Sequence, residues 1–147
     1  MPTTQDVIAK ANVTIDAPPS EVWAALVTPA AIKQYMFGAD VRTDWNEGSP
    51  ITWSGEWQGK RFQDKGKILQ VQPGRRLQYT HFSPLAGQPD TPENYHTVTI
   101  ELTGVGGTTQ VTLTQDNTST EAARKESEKN WKTMLQGLTK VVESKTH

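Results

Sequence analysis

The sequence contains no cysteine, so disulfide bonds, thiolate nucleophiles and sulfur-ligated metals are excluded. It also contains no dense block of positive charge, because 15 Lys and Arg residues balance 16 Asp and Glu residues to a formal net charge of −1. Binding to the phosphates of nucleic acid, or to an anionic membrane surface, normally requires a basic patch. We therefore expect neither nucleic acid nor a membrane as a partner.

Long apolar runs are absent as well. No stretch approaches the ~20 apolar residues that a membrane-spanning helix needs. Residues 1–10 lack the basic and apolar regions of a signal peptide. A cytoplasmic location is therefore the expectation, and the length of 147 residues suits a single domain over residues 1–147.

The clearest periodic pattern lies at the C-terminus, where a long amphipathic helix is predicted from Thr118 to about Ser144. Thr118 and Glu121 have the spacing of a capping box, which would begin the helix there. Gly137 lies inside it, and we expect this glycine to permit close contact with a sheet rather than to let the helix end move. The residues predicted to share the apolar face are Ser127, Trp131, Met134, Leu135, Leu138, Val141 and Val142.

Upstream of this helix, the patterns predict one strand, two short helices and six consecutive antiparallel strands. Residues 7–16 alternate as a half-buried strand. Pro18-Pro19 begins the first helix, and the second helix has Thr28 as its cap, Pro29 at its first position and Gly38 as its stop. Turn signals separate the later strands at Asn46-Glu47-Gly48, Gln58-Gly59, Pro73-Gly74 and Gly104 to Gly107.

Two segments interrupt the alternation of the later strands. Between Phe62 and Val71 apolar residues fall on both faces, with Ile68 on one and Leu69 on the other, which favours a β-bulge. The stretch from Ser83 to Asn94 is rich in proline and longer than a hairpin needs. Such a connection is either functional or a stiff cover without chemistry.

Several segments resemble a known superfamily over essentially the whole chain. They are residues 15–23 (IDAPPSEVW), Gly66-Lys67-Ile68, Pro73 with Arg76-Leu77, and residues 107–113 (GTTQVTL). Together with the element order, they are similar to the SRPBCC (Bet v 1-like, START-like) superfamily. Within it they resemble the branch named after the activator of Hsp90 ATPase homolog 1.

This resemblance implies the helix-grip fold, an α+β fold in which a curved antiparallel sheet of about six to seven strands wraps around the C-terminal helix. The family pattern often has Trp where this sequence has His81, which implies a more polar pocket here. The co-chaperone that lends the branch its name engages Hsp90 partly through a separate N-terminal domain. We expect no such domain in this chain, so Hsp90 contact does not follow from the resemblance.

Acid–base chemistry has few candidates in this sequence. By strand alternation, His81 shares a face with Leu77 and Tyr79, and His96 shares a face with Val98. Both imidazoles are therefore predicted to face the interior, where either could titrate near neutral pH or remain a buried neutral group. Glu56 and Asp64 flank a predicted hairpin, but alternation makes Glu56 solvated, so we do not expect them to act together. Two histidines fall short of the three protein ligands of a catalytic zinc, so no metal and no cofactor is expected.

The aromatic residues are the most informative group, because five Trp occur in a chain that is only 34% hydrophobic. Such rings either fill the core or line a cavity, and the resemblance favours a cavity. The predicted cavity residues are Trp53, Trp57, Tyr79, His81, His96, Val98, Trp131, Met134, Leu135 and Leu138.

The leading functional hypothesis is non-enzymatic binding of a small hydrophobic or amphiphilic molecule in that cavity, with the imidazoles selecting a ligand that bears a carbonyl, hydroxyl or carboxylate. One alternative is a cyclase- or hydrolase-like enzyme that uses a cavity His as general base. The other is an Hsp90-type co-chaperone or protein-interaction module. For the oligomeric state, the sequence is compatible with a homodimer as well as with a monomer.

Overall fold

The computed structural model describes residues 8–36, 38–57, 59–83, 89–117 and 120–146. Within these residues, one strand and two short helices precede six strands and a long helix, as the sequence patterns predict. A short 3₁₀ helix, Pro92–Asn94, lies between the fifth and sixth strands. The other elements are β1 (Ala9–Ile15), α1 (Pro19–Leu26), α2 (Pro29–Tyr35), β2 (Asp40–Arg42), β3 (Pro50–Trp57), β4 (Lys60–Gln72), β5 (Arg76–His81), β6 (His96–Val105), β7 (Thr108–Gln115) and α3 (Glu121–Thr146).

The strands of the described chain form one seven-stranded antiparallel sheet in the order β1-β7-β6-β5-β4-β3-β2. The β6–β7 hairpin shows how a turn signal in the sequence connects two consecutive strands: Val105 pairs with Thr108 across Gly106 and Gly107. Both glycines have positive φ, 58° and 89°, as a two-residue hairpin turn requires. This sheet with α3 across it is the helix-grip fold, and we call the sheet face that packs against the helices the concave face.

The two short helices begin at prolines, as predicted. Pro19 opens α1 and Pro29 opens α2, where the missing N–H and fixed φ of proline suit the first helical turn. Thr28 occupies the predicted N-cap position of α2, but its hydroxyl caps no N–H of α2 and instead donates to the Ala24 carbonyl of α1. Thr28 therefore ties the end of one helix to the start of the next.

Helix α3 packs through the middle and end of its predicted apolar face. Met134, Leu135 and Leu138 are buried, and Val141 and Val142 extend the same stripe. The predicted capping residue Thr118 lies outside the described residues. At the observed start, the Thr120 hydroxyl accepts a hydrogen bond from the Ala123 N–H, 3.0 Å away, which is the geometry of an N-cap.

Two carboxylates of α3 reach the free edge of β1. Glu128 accepts the Lys10 N–H at 2.9 Å, and Glu143 accepts the Asp16 N–H at 3.0 Å. At ~1.5 Å per helical residue the two carboxylates are about 22 Å apart along α3. At ~3.4 Å per strand residue the two N–H groups are about 20 Å apart along β1. The matching spacings show that the helix runs alongside this edge strand in the same direction.

The backbone of β5 lies unusually close to Gly66 of β4. A Cβ atom on Gly66 would lie only 1.7 Å from the backbone oxygen of Thr80, so no other residue fits there without moving a strand. Just beyond, the register between β4 and β5 shifts between Ile68 and Gln70, which confirms the predicted bulge. Ile68 is fully buried and Val71, three residues later, also packs against the core, so the alternation reverses at the bulge.

Gly137 permits a close contact, but the partner is a helix and not the predicted sheet. A Cβ atom on Gly137 would lie 3.1 Å from Cβ and 3.4 Å from Cα of Tyr35 in α2. Tyr35 is itself held in place, because its hydroxyl donates to the Ala25 carbonyl of α1 at 2.9 Å. The glycine therefore sets the distance between α2 and α3.

Candidate functional site

A small, partly open cavity, lined mainly by buried residues, lies between the concave face, α2 and α3. Its volume is about 20 Å³, and since a water molecule needs roughly 10 to 15 Å³ on this measure, it has room for about one water. We call this cavity, together with the contact of Tyr35 and Gly137, the apolar end of the concave face. Its lining consists of Leu26, Ile32, Tyr35, Met36, Trp45, Ile51, Trp53, Leu77, Tyr79, Ile100 and Met134.

The two tyrosines of the apolar end stay neutral over the ordinary pH range. Burial raises the pKa of the Tyr79 phenol far above its usual value. Burial likewise raises the pKa of Tyr35, and the neighbouring Tyr79 adds to that shift. Their hydroxyls therefore act as uncharged hydrogen-bonding groups in an otherwise apolar wall.

Trp45 is a cavity residue that the sequence patterns missed. It has φ of 61°, a left-handed conformation that is uncommon for a bulky side chain. Its N–H donates to the Thr43 hydroxyl at 3.4 Å, and the next N–H, of Asn46, donates to the Asp44 carboxylate at 3.0 Å. The only signal in the sequence is the adjacent Asn46-Glu47-Gly48 turn, which does not show where the ring of Trp45 points.

Asp64 and His81 form a hydrogen-bonded pair beside Trp53. The His81 Nε2–H donates to Oδ2 of Asp64 at 2.9 Å, and 18% of the Asp64 side chain and 26% of the His81 side chain remain exposed. Asp64 is the direct cross-strand partner of Trp53, so both side chains lie on the concave face. We call Asp64, His81 and His96 the polar end of the concave face.

Trp53 joins the two ends. Its ring centroid lies 5.2 Å from that of Tyr79 and 5.1 Å from that of His81, although β4 separates β3 from β5. Two strand spacings would normally hold side chains of β3 and β5 about 10 Å apart. The register places Gly66 opposite His81, and the close approach of β5 over this glycine brings the imidazole within reach of the indole.

His96 lies across from His81 on the neighbouring strand, because the two residues are direct partners in the β5–β6 register. Its Nδ1 lies 3.1 Å from the Asp116 carbonyl oxygen. Since a carbonyl only accepts, Nδ1 carries a proton, which leaves Nε2 of a neutral His96 as an acceptor. The structure thus brings both predicted histidines to one face of the sheet.

The remaining predicted cavity residues lie elsewhere in the core. Val98, Leu135 and Leu138 are fully buried and do not line the cavity. Trp131 is half-buried, and its indole N–H donates to the side-chain oxygen of Gln115. The side chain of Trp57 lies outside the described residues.

Glu56 and Asp64 do not form a pair. The sequence patterns missed that Asp64 instead pairs with His81. Glu56 is exposed, as expected, whereas Asp64 points to the concave face and has His81 as its partner. The signal that locates Asp64 is its even spacing from the buried Ile68, which predicts the same face. The ambiguous parity of this strand concealed it.

The described part of the long connection is tied to the sheet by an exposed polar cluster. Lys65 forms an ion pair with Asp90, and the Tyr95 hydroxyl donates to Asp90 at 2.6 Å. Hydrogen bonds from Lys65 and Tyr95 lower the pKa of Asp90, and the bond to Asp90 raises the pKa of Tyr95. The Tyr95 ring stacks on Phe82 at 5.1 Å, so this segment is anchored beside the polar end.

Within the described ranges, no group of three His, Asp or Glu side chains is arranged to hold a metal ion. No helix among those residues is long and apolar enough to cross a membrane.

Comparison with known proteins places these features in a family. The family described as activator of Hsp90 ATPase homolog 1-like protein matches residues 16–143. The solution structure of ChR145 from Cytophaga hutchinsonii is 55% identical in sequence, covers 96% of this chain and 97% of its own, and has a TM-score of 0.83. A comparison with curated proteins gave no significant match.

Two more distant structures share the fold. The solution structure of the Aha1 dimer from Colwellia psychrerythraea is 20% identical, with 92% of this chain and 96% of that chain covered and a TM-score of 0.71. The crystal structure of Ara h 8.0201 is 13% identical, with 93% and 97% covered and a TM-score of 0.74.

Proposed function

Because this chain belongs to the family of activator of Hsp90 ATPase homolog 1-like proteins, in a fold shared with Ara h 8.0201, we propose that it binds a small hydrophobic or amphiphilic molecule between the sheet and α3. One observation carries the proposal. The apolar end is a partly open cavity walled by aliphatic, aromatic and methionine side chains, and it adjoins a polar pair through Trp53. Ligand pockets typically combine a largely apolar wall with a few polar groups in this way.

The ligand enters by displacing side chains, since a pocket for a drug-sized molecule has roughly 300 to 1,000 Å³ and the cavity has about 20 Å³. Met36 and Met134 line it, and their unbranched side chains change rotamer at little cost. Trp45 lines it from a loop and is held in a strained conformation. These three residues are the movable part of the wall.

A fluorescence titration with the neutral probe N-phenyl-1-naphthylamine tests the proposal. Met134→Ala should enlarge the cavity and tighten probe binding several-fold, because the deleted side chain borders it. Leu138→Ala is the matched control, since Leu138 is equally buried on the same helix face but does not line the cavity. Both variants should lose about 2 to 5 kcal/mol in urea unfolding.

The comparison of the two variants decides the matter. If Leu138→Ala tightens binding as much as Met134→Ala, the probe reports a loosened core and not this cavity. If the wild-type protein and Met134→Ala both leave the probe unbound, the binding proposal fails.

A catalytic role for His81 is the second candidate, and the 2.9 Å hydrogen bond that its Nε2–H donates to Asp64 favours it. A carboxylate that holds Nε2–H leaves Nδ1 of a neutral imidazole as the basic nitrogen, as a general base requires. Mass spectrometry of a bound ligand after incubation tests this role. Turnover that His81→Ala abolishes without loss of melting temperature would establish it, and an unchanged ligand would exclude it.

A protein-interaction role has less support. In the described part of the chain, the exposed large apolar residues are Ile8, Leu69 and Val105, which lie on or beside different, non-adjacent strands and form no patch. Nothing in the described part of the chain therefore supports contact with Hsp90. A homodimer stays a prediction, and sedimentation velocity measures it directly.

A further inference from the structure

The carboxylate of Asp64 is only half satisfied. Its Oδ2 accepts from His81, whereas Oδ1 is buried and has no hydrogen-bond partner among the residues that the structure describes. A buried oxygen without a donor costs free energy, and the cost is larger for a charged group. This atom therefore has a strong preference for a molecule that can donate a hydrogen bond to it.

The chemistry of the pair fixes the kind of group that fits. An ionised carboxylate only accepts, so the proton between Asp64 and His81 stays on Nε2 whether the imidazole is neutral or charged. In both states the pair offers Oδ1 as an acceptor. A ligand carboxylate would place a second acceptor and a second negative charge beside it, which is unfavourable.

We propose that Asp64 and His81 form a polar subsite that accepts the hydroxyl or ammonium group of an amphiphile and rejects a carboxylate. This inference rests on the proposed binding function and narrows its ligand class. It also replaces the expectation, drawn from the histidines alone, that carboxylate ligands would be selected. The Trp53 ring connects the subsite to the cavity, so the apolar part of the ligand lies against Trp53 and Tyr79 while its donor group reaches Asp64.

A matched series of ligands tests the subsite. Decylamine, decan-1-ol and decanoate, below their micellar concentrations at pH 7, are used to displace N-phenyl-1-naphthylamine from the protein. The amine and the alcohol should each bind at least about tenfold more tightly than decanoate, the size expected for one hydrogen bond to a buried charge.

Asp64→Asn keeps the shape of the side chain and removes its charge, so it should bring the affinities of the three ligands to within about threefold of one another. Asp64→Ser gives a second, smaller variant with the same expectation should the amide disturb the fold. Glu56→Gln is the control, because it removes one negative charge from an exposed site on the neighbouring strand and should leave the preference unchanged.

Failure of the subsite and failure of the binding function give different results. If the probe binds but decanoate competes as well as decylamine, or if the preference survives in Asp64→Asn and Asp64→Ser, the subsite is refuted while binding stands. If the preference falls equally in Glu56→Gln, it reflects net charge, which also refutes the subsite. If no probe binds, the proposed function fails and the subsite with it.

Discussion

The apolar end of the concave face is closed by side chains and by the short helix α2, whereas the polar end is shaped by the backbone of two paired strands. At the apolar end, a Cβ atom on Gly137 would lie 3.1 Å from Cβ and 3.4 Å from Cα of Tyr35. At the polar end, a Cβ atom on Gly66 would lie 1.7 Å from the backbone carbonyl oxygen of Thr80. One end can adjust by shifting a short helix, and the other cannot change without separating two strands.

This difference assigns separate roles to the two ends. The cavity is walled by groups that can move, including two methionines, so it can adapt its size to a ligand. Asp64, His81 and Trp53 are instead positioned by strand pairing and by the close approach of β5 to Gly66, so their geometry is fixed before a ligand arrives. The chain thus combines an adaptable tail pocket with a preformed head-group site.

The largest effect is expected from Gly66→Ala. The added methyl group would overlap the Thr80 carbonyl, and relieving the overlap requires β5 to move away from β4. We expect a loss of about 3 kcal/mol or more in the free energy of unfolding, measured by urea denaturation. The same movement should weaken the contact of Trp53 with His81, and a change in Trp fluorescence should report it.

Gly55→Ala is the matched control on the neighbouring strand. There the new Cβ would lie 3.1 Å from the ring of Phe62, a side chain that can rotate. Its cost should be at most about 1.5 kcal/mol. If Gly66→Ala costs no more than Gly55→Ala, the polar end is not held by backbone contact and the comparison fails.

A smaller effect is expected from Gly137→Ala at the apolar end. Alanine in a helix interior gains ~1 kcal/mol over glycine, but its Cβ would press on Tyr35, whose hydroxyl is held by α1. We expect a net loss of about 1 kcal/mol, because α2 must shift by a few tenths of an ångström. A more stable protein that takes up the fluorescent probe more slowly would mean that Gly137 serves motion instead of contact.

The smallest effect is expected at the exposed cluster beside the polar end. Asp90→Asn removes the carboxylate that raises the pKa of Tyr95, so the phenol should titrate at lower pH, closer to its usual value. Absorbance of the phenolate measures the shift, and burial keeps Tyr35 and Tyr79 from titrating first. Glu93→Gln, an exposed carboxylate near Asp90, is the control and should leave the titration unchanged.

The same cluster makes the stability of the folded protein depend on pH in a defined direction. The pKa of Asp90 is lower in the folded protein than in the unfolded chain, so its stabilising contribution is present above the unfolded pKa. The contribution is lost as the pH falls through the folded pKa. Acid unfolding of Asp90→Asn should therefore depend less on pH in this range than that of the wild-type protein.

Most of the fold could be predicted because it follows from local patterns. Alternation, turn glycines and helix-starting prolines are enough for the element order, and the helical period identifies Leu135 and Leu138 as core. The polar end depends on register and on the bulge between Ile68 and Gln70, which are long-range properties. This is why His81 could be predicted to face inward while its partner Asp64 could not be identified.

The carboxylates of Glu128 and Glu143 have a consequence for self-association. An edge strand with free N–H groups is a template to which another chain can add a strand. Along β1 these two carboxylates already occupy N–H groups at Lys10 and Asp16, and α3 lies over the edge. Growth of the sheet by strand addition is therefore directed to its opposite border at β2, which is only three residues long. Substitutions that release α3 from β1 should therefore increase fibril formation relative to the wild-type protein.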